Sequence, residues 1–327
     1  MLIDNHKMSF YPSTTARIKL LKCSLLAGIA CLSATALSTA TTAQNSSSPK
    51  IVTTFLPVHL FTQAVVGNTG EVDILISPGA EVHDYQATPD DAKLLSEADV
   101  LVENGLGIEE FLSDLVANAG NSNLQQIDSS EGIEVIEGEE HDEHGHKEHE
   151  GEEHGHHHAG GNPHVWLDPV LAQQQVATIR DELIAIAPSK ADSYRTNADA
   201  YIQQLQQLDS EFRQRLAPVA GCNFITFHDA FPCLAQRYGL KQEAIVEIPE
   251  DSITPKDIQR IQQAAEEYEV KALLTEPGIE DSRIQQISSD LNLPLEAIDS
   301  LESGETDPQY YFQVMQGNLE ALEKACQ

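Results

Sequence analysis

From residue 50 onward, short apolar runs alternate with longer segments in which apolar residues recur at helical spacing. The β-branched run "KIVTTF" predicts a strand, and "PVHLFTQAVVG" predicts a helix that ends at Gly67. "EVDILIS" and "DVLVEN" continue as strands, separated by the helix "PDDAKLLSEA" with Pro89 in its first turn. "GIEEFLSDLVANAG" and "LQQIDSS" extend the pattern. Because strands that alternate with helices form parallel βαβ units, this half predicts an α/β lobe.

The same alternation returns in the last third of the chain. "NFITF", "EAIVEI", "VKALLTE" and "LPLEAID" predict strands. Between and after them we expect helices at "HDAFPCLAQRYG", at "TPKDIQRIQQAAEEYE" with Thr254 as N-cap, at "EDSRIQQISSDLN", and from about Asp307 to the end. This predicts a second lobe of the same plan, although the two halves show no obvious sequence repetition.

Two long helical segments lie between the predicted lobes. "PVLAQQQVATIRDELIAIA" is followed by a second helix of about 30 residues that would span about 45 Å, at 1.5 Å per residue. Such a length exceeds a domain diameter, so we interpret this helix as a rigid connection. The predicted fold class is α/β, with two similar lobes of parallel sheet flanked by helices: an N-terminal lobe at 44–187, the linking helix at 188–218 and a C-terminal lobe at 219–327.

Residues 1–43 have the layout of a secretory signal peptide. Four basic side chains precede "CSLLAGIACLSATALSTATTAQ", which ends in small residues and predicts cleavage after Ala40 or Ala43. A membrane anchor is the alternative, but the apolar run is short and diluted by Ser and Thr compared with the roughly 20 residues of a span. Lipidation at Cys31 is disfavoured because "GIAC" lacks the usual leucine. The sequence therefore predicts an exported, periplasmic protein.

Export makes an acidic chain more acidic. Loss of residues 1–43 removes four basic groups and one acid, so the formal charge moves from −33 to −36. Nucleic acid and anionic membrane surfaces are therefore poor partners, whereas cations are attracted.

A histidine-rich tract, "EEHDEHGHKEHEGEEHGHHH" at 139–158, interrupts the first lobe within a predicted mobile loop at 138–161. Clustered like charges and glycines bury too little apolar surface to offset the ordering entropy. Imidazoles in such a run can bind several metal ions weakly. The alternative is a solvated linker with incidental metal affinity. The candidate auxiliary ligands are His141, His144, His146, His149, His154, His156, His157 and His158.

Four histidines remain in the mature chain outside this tract. His83, His164 and His228 occur where strands give way to loops or helices, whereas His59 lies within a predicted helix and is expected to have a packing or surface role. Ligands of open parallel sheets bind beyond the carboxyl ends of the strands, so these three side chains can converge. Three neutral imidazoles suit zinc. A capping or packing role is the alternative for each of them.

Cys222, Cys233 and Cys326 remain after export, in a compartment that permits disulfides. Cys222 and Cys233 flank "NFITFHDAFP", and we expect a bridge between them that braces this segment. A thiolate metal site is the alternative, but no C-x-x-C spacing supports it.

A set of motifs gives these residues a shared context. "HDYQATPDD" begins at His83, "NPHVWLDP" contains His164, "FHDAF" contains His228, "TEP" contains Glu276, and Asp299 precedes "SLESGETD". In this order the motifs resemble the metal-specific substrate-binding proteins of ABC importers (cluster A-I), and within them the zinc-binding, ZnuA-type branch. The resemblance covers the chain from about residue 50 to its end.

The resemblance implies a metal site in the cleft between two lobes, with His83, His164 and His228 as nitrogen ligands. It implies Asp299 as the fourth ligand, at a position where some relatives leave a water or use another acid, and Glu276 as a nearby helper or structural carboxylate. Zinc-specific relatives often carry an acidic, histidine-rich loop where this chain has its tract, which can hold ions near the cleft.

The resemblance also implies a function: a monomeric, non-enzymatic receptor that delivers Zn²⁺ to an ABC permease membrane subunit. Manganese-binding relatives typically have Glu at the position of His228, so a manganese or iron receptor is the first alternative. A zinc-buffering or adhesive surface protein is the second. A hydrolytic zinc enzyme is the third, although no nucleophile or general-base motif adjoins the predicted ligands.

Overall fold

Parallel β-sheet forms the centre of each half of the chain. The computed structural model describes residues 48–80, 82–134, 161–246, 253–277 and 282–327. The predicted signal peptide and the histidine-rich tract lie outside the described residues. Both sheets belong to one unit, Ser46–Gln327. None of the helices in the described ranges combines the length and hydropathy that a membrane span requires.

The first sheet has four parallel strands. They are β1 (Ile51–Thr53), β2 (Val72–Ile74), β3 (Val100–Glu103) and β4 (Gln125–Asp128), in the order β2-β1-β3-β4. The helices that connect them are α1 (Leu56–Val66), α2 (Pro89–Ser96) and α3 (Leu112–Ala119). The order reverses between β1 and β3, so their carboxyl ends border a crevice at a topological switch point.

Two consecutive helices follow, α4 (Pro169–Ile186) and α5 (Ala191–Leu216). At 26 residues, α5 is about 39 Å long. It contacts α1 and α4 on the side of the first sheet, and the ring of Tyr201 lies 6.2 Å from that of Phe61. The predicted long helix is confirmed, with single 3₁₀ turns at both ends.

The second sheet repeats the plan of the first. Its parallel strands are β5 (Asn223–His228), β6 (Lys241–Val246), β7 (Leu273–Thr275) and β8 (Leu295–Ala297), in the order β6-β5-β7-β8. The accompanying helices are α6 (Pro232–Arg237), α7 (Pro255–Glu267), α8 (Ser282–Leu291) and α9 (Tyr310–Ala325). The last of these, α9, also packs against α5, so α5 contacts helices of both halves. The α/β class with two parallel sheets is confirmed.

Local signals at the helix ends are mostly confirmed. Thr254 caps α7 and forms a reciprocal capping box with Asp257. Gly67 ends α1 with φ at 55°, a conformation that glycine adopts without strain. The predicted start of α6 is wrong, because His228 still belongs to β5 and the helix begins only at Pro232.

The disulfide joins Cys222 to Cys326, so the predicted bridge between Cys222 and Cys233 is wrong. Cys222 immediately precedes β5, whose six residues carry the chain about 20 Å away before α6 begins with Cys233 in its first turn. A bridge requires Cα atoms within about 7 Å. The end of α9 instead lies beside the start of β5, with 5.8 Å between the Cα atoms of the bridged cysteines.

A buried carboxylate ties together the strand ends at the first switch point. Glu109 accepts hydrogen bonds from the Thr54 hydroxyl, at 2.7 Å, and from the backbone N–H of Asn104, at 2.7 Å. These two residues directly follow β1 and β3. The side chain of Asn104 in turn donates to the carbonyl of Pro163, at 3.1 Å, next to His164. This network therefore connects the first sheet to the segment that contains a predicted metal ligand.

Burial raises the pKa of Glu109 to about 8, against the hydrogen bonds from Asn104 and Thr54 that favour its ionised form. The folded state then retains a proton that the unfolded chain loses above its ordinary value of 4.5. The raised pKa of Glu109 therefore adds to the free energy of unfolding. This contribution is fully present below pH 4.5 and is lost as pH rises through the folded pKa of about 8, by at most about 1.4 kcal/mol per pH unit.

We expect Glu109→Gln to weaken the pH dependence of the free energy of unfolding. The variant loses one acceptor and should be less stable than the native chain at pH 5.5, with the difference shrinking towards pH 8. Urea denaturation of the metal-free proteins between these values checks this. Groups that do not interact with Glu109 contribute equally to both proteins, so parallel curves of unfolding free energy against pH would contradict the assignment.

Candidate metal centre

Three imidazoles that are far apart in the sequence form a tight cluster. The ring centroids of His83 and His164 are 5.3 Å apart, those of His164 and His228 are 5.3 Å apart, and those of His83 and His228 are 6.3 Å apart. Glu302 joins them, and one potential ligand atom from each of the four residues lies within 4.8 Å of the others. His164 and His228 are fully buried, whereas His83 and Glu302 are half-buried. The three predicted histidines are therefore brought together.

The two switch points explain why these side chains meet. His228 is the last residue of β5, which borders the second switch point. His83 lies in the loop from β2 to α2, and His164 immediately precedes the 3₁₀ turn Val165–Leu167 that leads into α4. Glu302 lies in the loop after β8, where its carbonyl accepts a hydrogen bond from the backbone of Gly79, at 3.1 Å. The carboxyl end of β5 and three segments outside the strands thus supply the cluster.

Glu276 orients His228. It follows β7, is almost fully buried, and its carboxylate binds Nδ1 of His228. A carboxylate at Nδ1 favours the tautomer with the proton on that atom, so that Nε2 keeps its lone pair for a metal. Nε2 lies 4.0 Å from Oε1 of Glu302. Glu276 therefore lies beside the cluster, in contact with one of its three histidines.

Asn162 orients His164 through Nδ1, as Glu276 orients His228. Its side-chain oxygen accepts from the backbone N–H of His164, at 3.1 Å, and lies 3.0 Å from Nδ1 of the same residue. The favoured tautomer again has the proton on Nδ1. Nε2 of His164 lies 3.6 Å from Oε1 of Glu302. The Nε2 atoms of both buried histidines therefore converge on one carboxylate oxygen.

Asp299 is not part of this cluster, and Glu302 supplies the carboxylate in its place. Oδ1 of Asp299 accepts from the backbone N–H of Leu301, at 2.7 Å, and its main chain pairs in both directions with the amide of Asn318. Burial raises the pKa of Asp299, and the nearby Glu276 adds to this effect. Asp299 thus shapes a turn, and the turn points the carboxylate of Glu302 towards the histidines.

Glu302 was missed because its signal in the sequence is weak. It stands in "SLESGETD", where several acids occur together and none has a motif of its own. Its direction depends on Leu301, a buried residue with φ at 68°, which an amino-acid pattern does not reveal. His59, by contrast, is buried in α1, 3.2 Å from the hydroxyl of Thr53, as a packing role predicts.

The donor set of three imidazoles and one carboxylate matches zinc chemistry. Zn²⁺ takes four nitrogen, sulfur or oxygen ligands in tetrahedral geometry, whereas Mg²⁺ and Ca²⁺ prefer six or more oxygen donors. Nitrogen-rich sites favour the later transition metals over manganese. The arrangement can therefore hold one such ion with all coordination positions filled from the protein.

Comparisons with known proteins point in the same direction. The family described as zinc-uptake complex component A, periplasmic, matches residues 51–325. The high-affinity zinc uptake system protein ZnuA of Bacillus subtilis is 33% identical over 277 residues, which cover 83% of this chain and 86% of that protein.

The zinc-binding protein AdcA of Streptococcus pyogenes serotype M3 is 32% identical over 285 residues, covering 84% of this chain and 55% of that protein. The crystal structure of Zn(II)-bound AdcA from Streptococcus pneumoniae superposes with a TM-score of 0.70 at 29% identity, covering 85% of this chain and 58% of that one. The chain thus spans about half the length of the AdcA proteins that it matches.

We expect Glu276→Gln to weaken binding of Zn²⁺ about 10- to 100-fold, the usual loss when a partner of a metal-bound histidine is altered. The neutral amide supports Nδ1–H of His228 less well than a carboxylate does. Competition with a zinc chelator measures the change. Glu296→Gln is the control, since Glu296 pairs with Lys324 at 2.8 Å, away from the cluster. Equal affinity of the two variants would contradict the role of Glu276.

Proposed function

The chain belongs to the family of the periplasmic zinc-uptake complex component A, and on this basis we propose that it is an extracytoplasmic receptor for Zn²⁺. It captures the ion and delivers it to an ABC permease in the membrane for import. The observation that carries the proposal is the cluster of His83, His164, His228 and Glu302, in which His164 and His228 are fully buried. The names of the zinc-binding relatives support it.

The four clustered side chains are the proposed ligands. Nε2 of His164 and Nε2 of His228 face Glu302, so a carboxylate completes a set of three nitrogens and one oxygen. Hydrolytic zinc enzymes keep an open position for water, whereas a site closed by four protein donors suits binding without turnover. A closed site therefore favours a receptor over an enzyme.

The proposal includes a monomeric protein outside the cytoplasm. All four donors come from one chain, so the site does not need a second copy. The predicted signal peptide accounts for export, and the proposal keeps 44–187 as first lobe, 188–218 as linking helix and 219–327 as second lobe.

The histidine-rich tract has an auxiliary role in this proposal. The last residue of the tract, His158, lies six residues before His164 in the sequence, and the described chain resumes at Gly161. Imidazoles tethered at that point raise the local concentration of metal ions. A run of ligands without a fixed geometry gathers ions but does not select among them.

We expect Glu302→Gln to weaken the tight site by at least 10-fold, because it replaces one of four donors, and Asp299→Asn to have a smaller effect through the turn alone. His83→Ala, His164→Ala and His228→Ala should each weaken it by orders of magnitude. Isothermal titration in competition with a chelator measures these changes. If Asp299→Asn costs more than Glu302→Gln, the assignment of the fourth donor is wrong.

We expect deletion of residues 139–158 to leave one tight equivalent of Zn²⁺ and to remove only weaker equivalents. Metal analysis after dialysis, together with competitive titration, gives the number of tight and of weak equivalents and identifies the bound ion. Loss of all tight binding with the tract would contradict the receptor proposal and would favour a zinc-buffering protein. Tight binding of Mn²⁺ in preference to Zn²⁺ would favour the manganese receptor.

A further inference from the structure

We propose that Asn162 and Trp166 form a bracket that holds His228 and Glu302 in register with His164, and that this bracket makes the site selective for a four-coordinate ion. The inference rests on the proposed zinc site and deepens it. Both are positioning residues, since each acts through contacts with the segments that contain the donors. The two arms of the bracket lie on either side of His164 in the sequence and reach different parts of the second half.

The first arm is the side-chain amide of Asn162. Its oxygen accepts from the backbone and lies 3.0 Å from Nδ1 of His164. Its nitrogen donates to the carbonyl of Asp229, at 2.6 Å, and to the Asp229 carboxylate, at 3.1 Å. Hydrogen-bond donors of His164 face the amide oxygen, and acceptors of Asp229 face the amide nitrogen. Only one orientation of the Asn162 amide satisfies both. Since Asp229 directly follows His228, one buried amide sets the spacing between two proposed ligands.

The second arm is the indole of Trp166. Its ring lies 4.9 Å from the ring of His164, and its Nε1 donates to the carbonyl of Ser300, at 2.8 Å. Ser300 stands two residues before Glu302, in the turn that Leu301 completes in the left-handed conformation. The indole therefore contacts one proposed ligand and fixes the turn that directs another.

The bracket itself is firmly held. Trp166 is fully buried, its ring meets that of Phe55 edge-on at 5.1 Å, and its carbonyl accepts from the hydroxyl of Tyr311, at 2.8 Å. Phe55 immediately precedes α1 and Tyr311 lies in α9, so both halves of the protein hold it in place. Side chains packed in this way lose little entropy when an ion binds.

A rigid cluster discriminates by geometry. Donors fixed close together match the short bonds and low coordination number of Zn²⁺, whereas Mn²⁺ prefers more donors, and harder ones. Affinity order alone does not set the selectivity of such sites, so the fixed spacing of the donors contributes to it. Loosening the bracket should therefore reduce zinc affinity more than manganese affinity.

The test compares Asn162→Ala and Trp166→Phe with the native mature protein. Trp166→Phe keeps an aromatic ring but removes the donor to Ser300. We expect each variant to bind Zn²⁺ at least 10-fold more weakly, to have a smaller ratio of zinc to manganese affinity, and to give a weaker visible absorption from the first bound Co²⁺, because loss of tetrahedral geometry weakens these bands. Thermal unfolding of the metal-free proteins reports on the fold.

Two control variants remove partly buried hydrogen bonds elsewhere in the described chain. Asn121→Ala removes an amide that donates to the carbonyls of Leu95 and Ala98, at 3.0 and 2.7 Å. Tyr201→Phe removes a hydroxyl that donates to the carbonyl of Pro308, at 3.0 Å. Both should lower the melting temperature and leave the cobalt spectrum and the affinity ratio unchanged.

Asn162→Asp separates the two contacts of the first arm. A carboxylate keeps the acceptor for His164 but cannot donate to Asp229. The bracket predicts that it resembles Asn162→Ala, and recovery of native selectivity by Asn162→Asp would overturn it. If the native protein binds zinc tightly but the variants keep its ratio of zinc to manganese affinity and its Co²⁺ spectrum, the bracket alone is overturned. Absence of a tight zinc site in the native protein overturns the proposed function and the bracket together.

Discussion

Two fully buried imidazoles can lie side by side only because each has a polar partner of its own. His228 has the carboxylate of Glu276 and His164 has the amide of Asn162, and both partners bind Nδ1. A buried ring nitrogen without such a partner would carry a large desolvation cost. Because Nδ1 is used in this way, the opposite nitrogen of each ring is directed at a shared point. The proposed metal site is thus a consequence of how two histidines are satisfied.

The topology of the sheets determines which residues can serve as partners. Each half has the same strand order, and each reverses direction between its first and third strands. In the second half this point is bordered by His228 and Glu276, one at the end of β5 and one just after β7. In the first half, Glu109 and Asn104 occupy the corresponding place and hold the segment before His164. The crevice of the second sheet therefore supplies the proposed ligand His228 with its partner Glu276. The crevice of the first sheet supplies the contact between Asn104 and Pro163 that holds the segment before His164.

Much of this arrangement could be predicted from the sequence, because the fold class depends on periodicity and three histidines follow predicted strands or occur in specific motifs. The carboxylate of the cluster and the pairing of the disulfide could not be predicted, because both depend on contacts between residues that are distant in sequence. The direction of Glu302 is set by Leu301, Asp299 and the indole of Trp166, which meet only in the folded chain. The predicted pairing of the disulfide was wrong for a related reason, since Cys233 is near Cys222 in sequence but lies beyond the other end of β5.

In the proposed receptor, different parts of the chain attract the ion and select it. A formal charge of −33 over the full sequence attracts any cation, and long-range attraction of this kind raises the rate of encounter without distinguishing zinc from other divalent ions. Copper and nickel would also bind a nitrogen-rich set strongly, so ligand type alone cannot define the cargo. In the proposed bracket, selection depends on donors whose spacing is fixed before the ion arrives. The fully buried His164 is the centre of that spacing, since its own partners, Asn162 and Trp166, also hold the segments of His228 and Glu302.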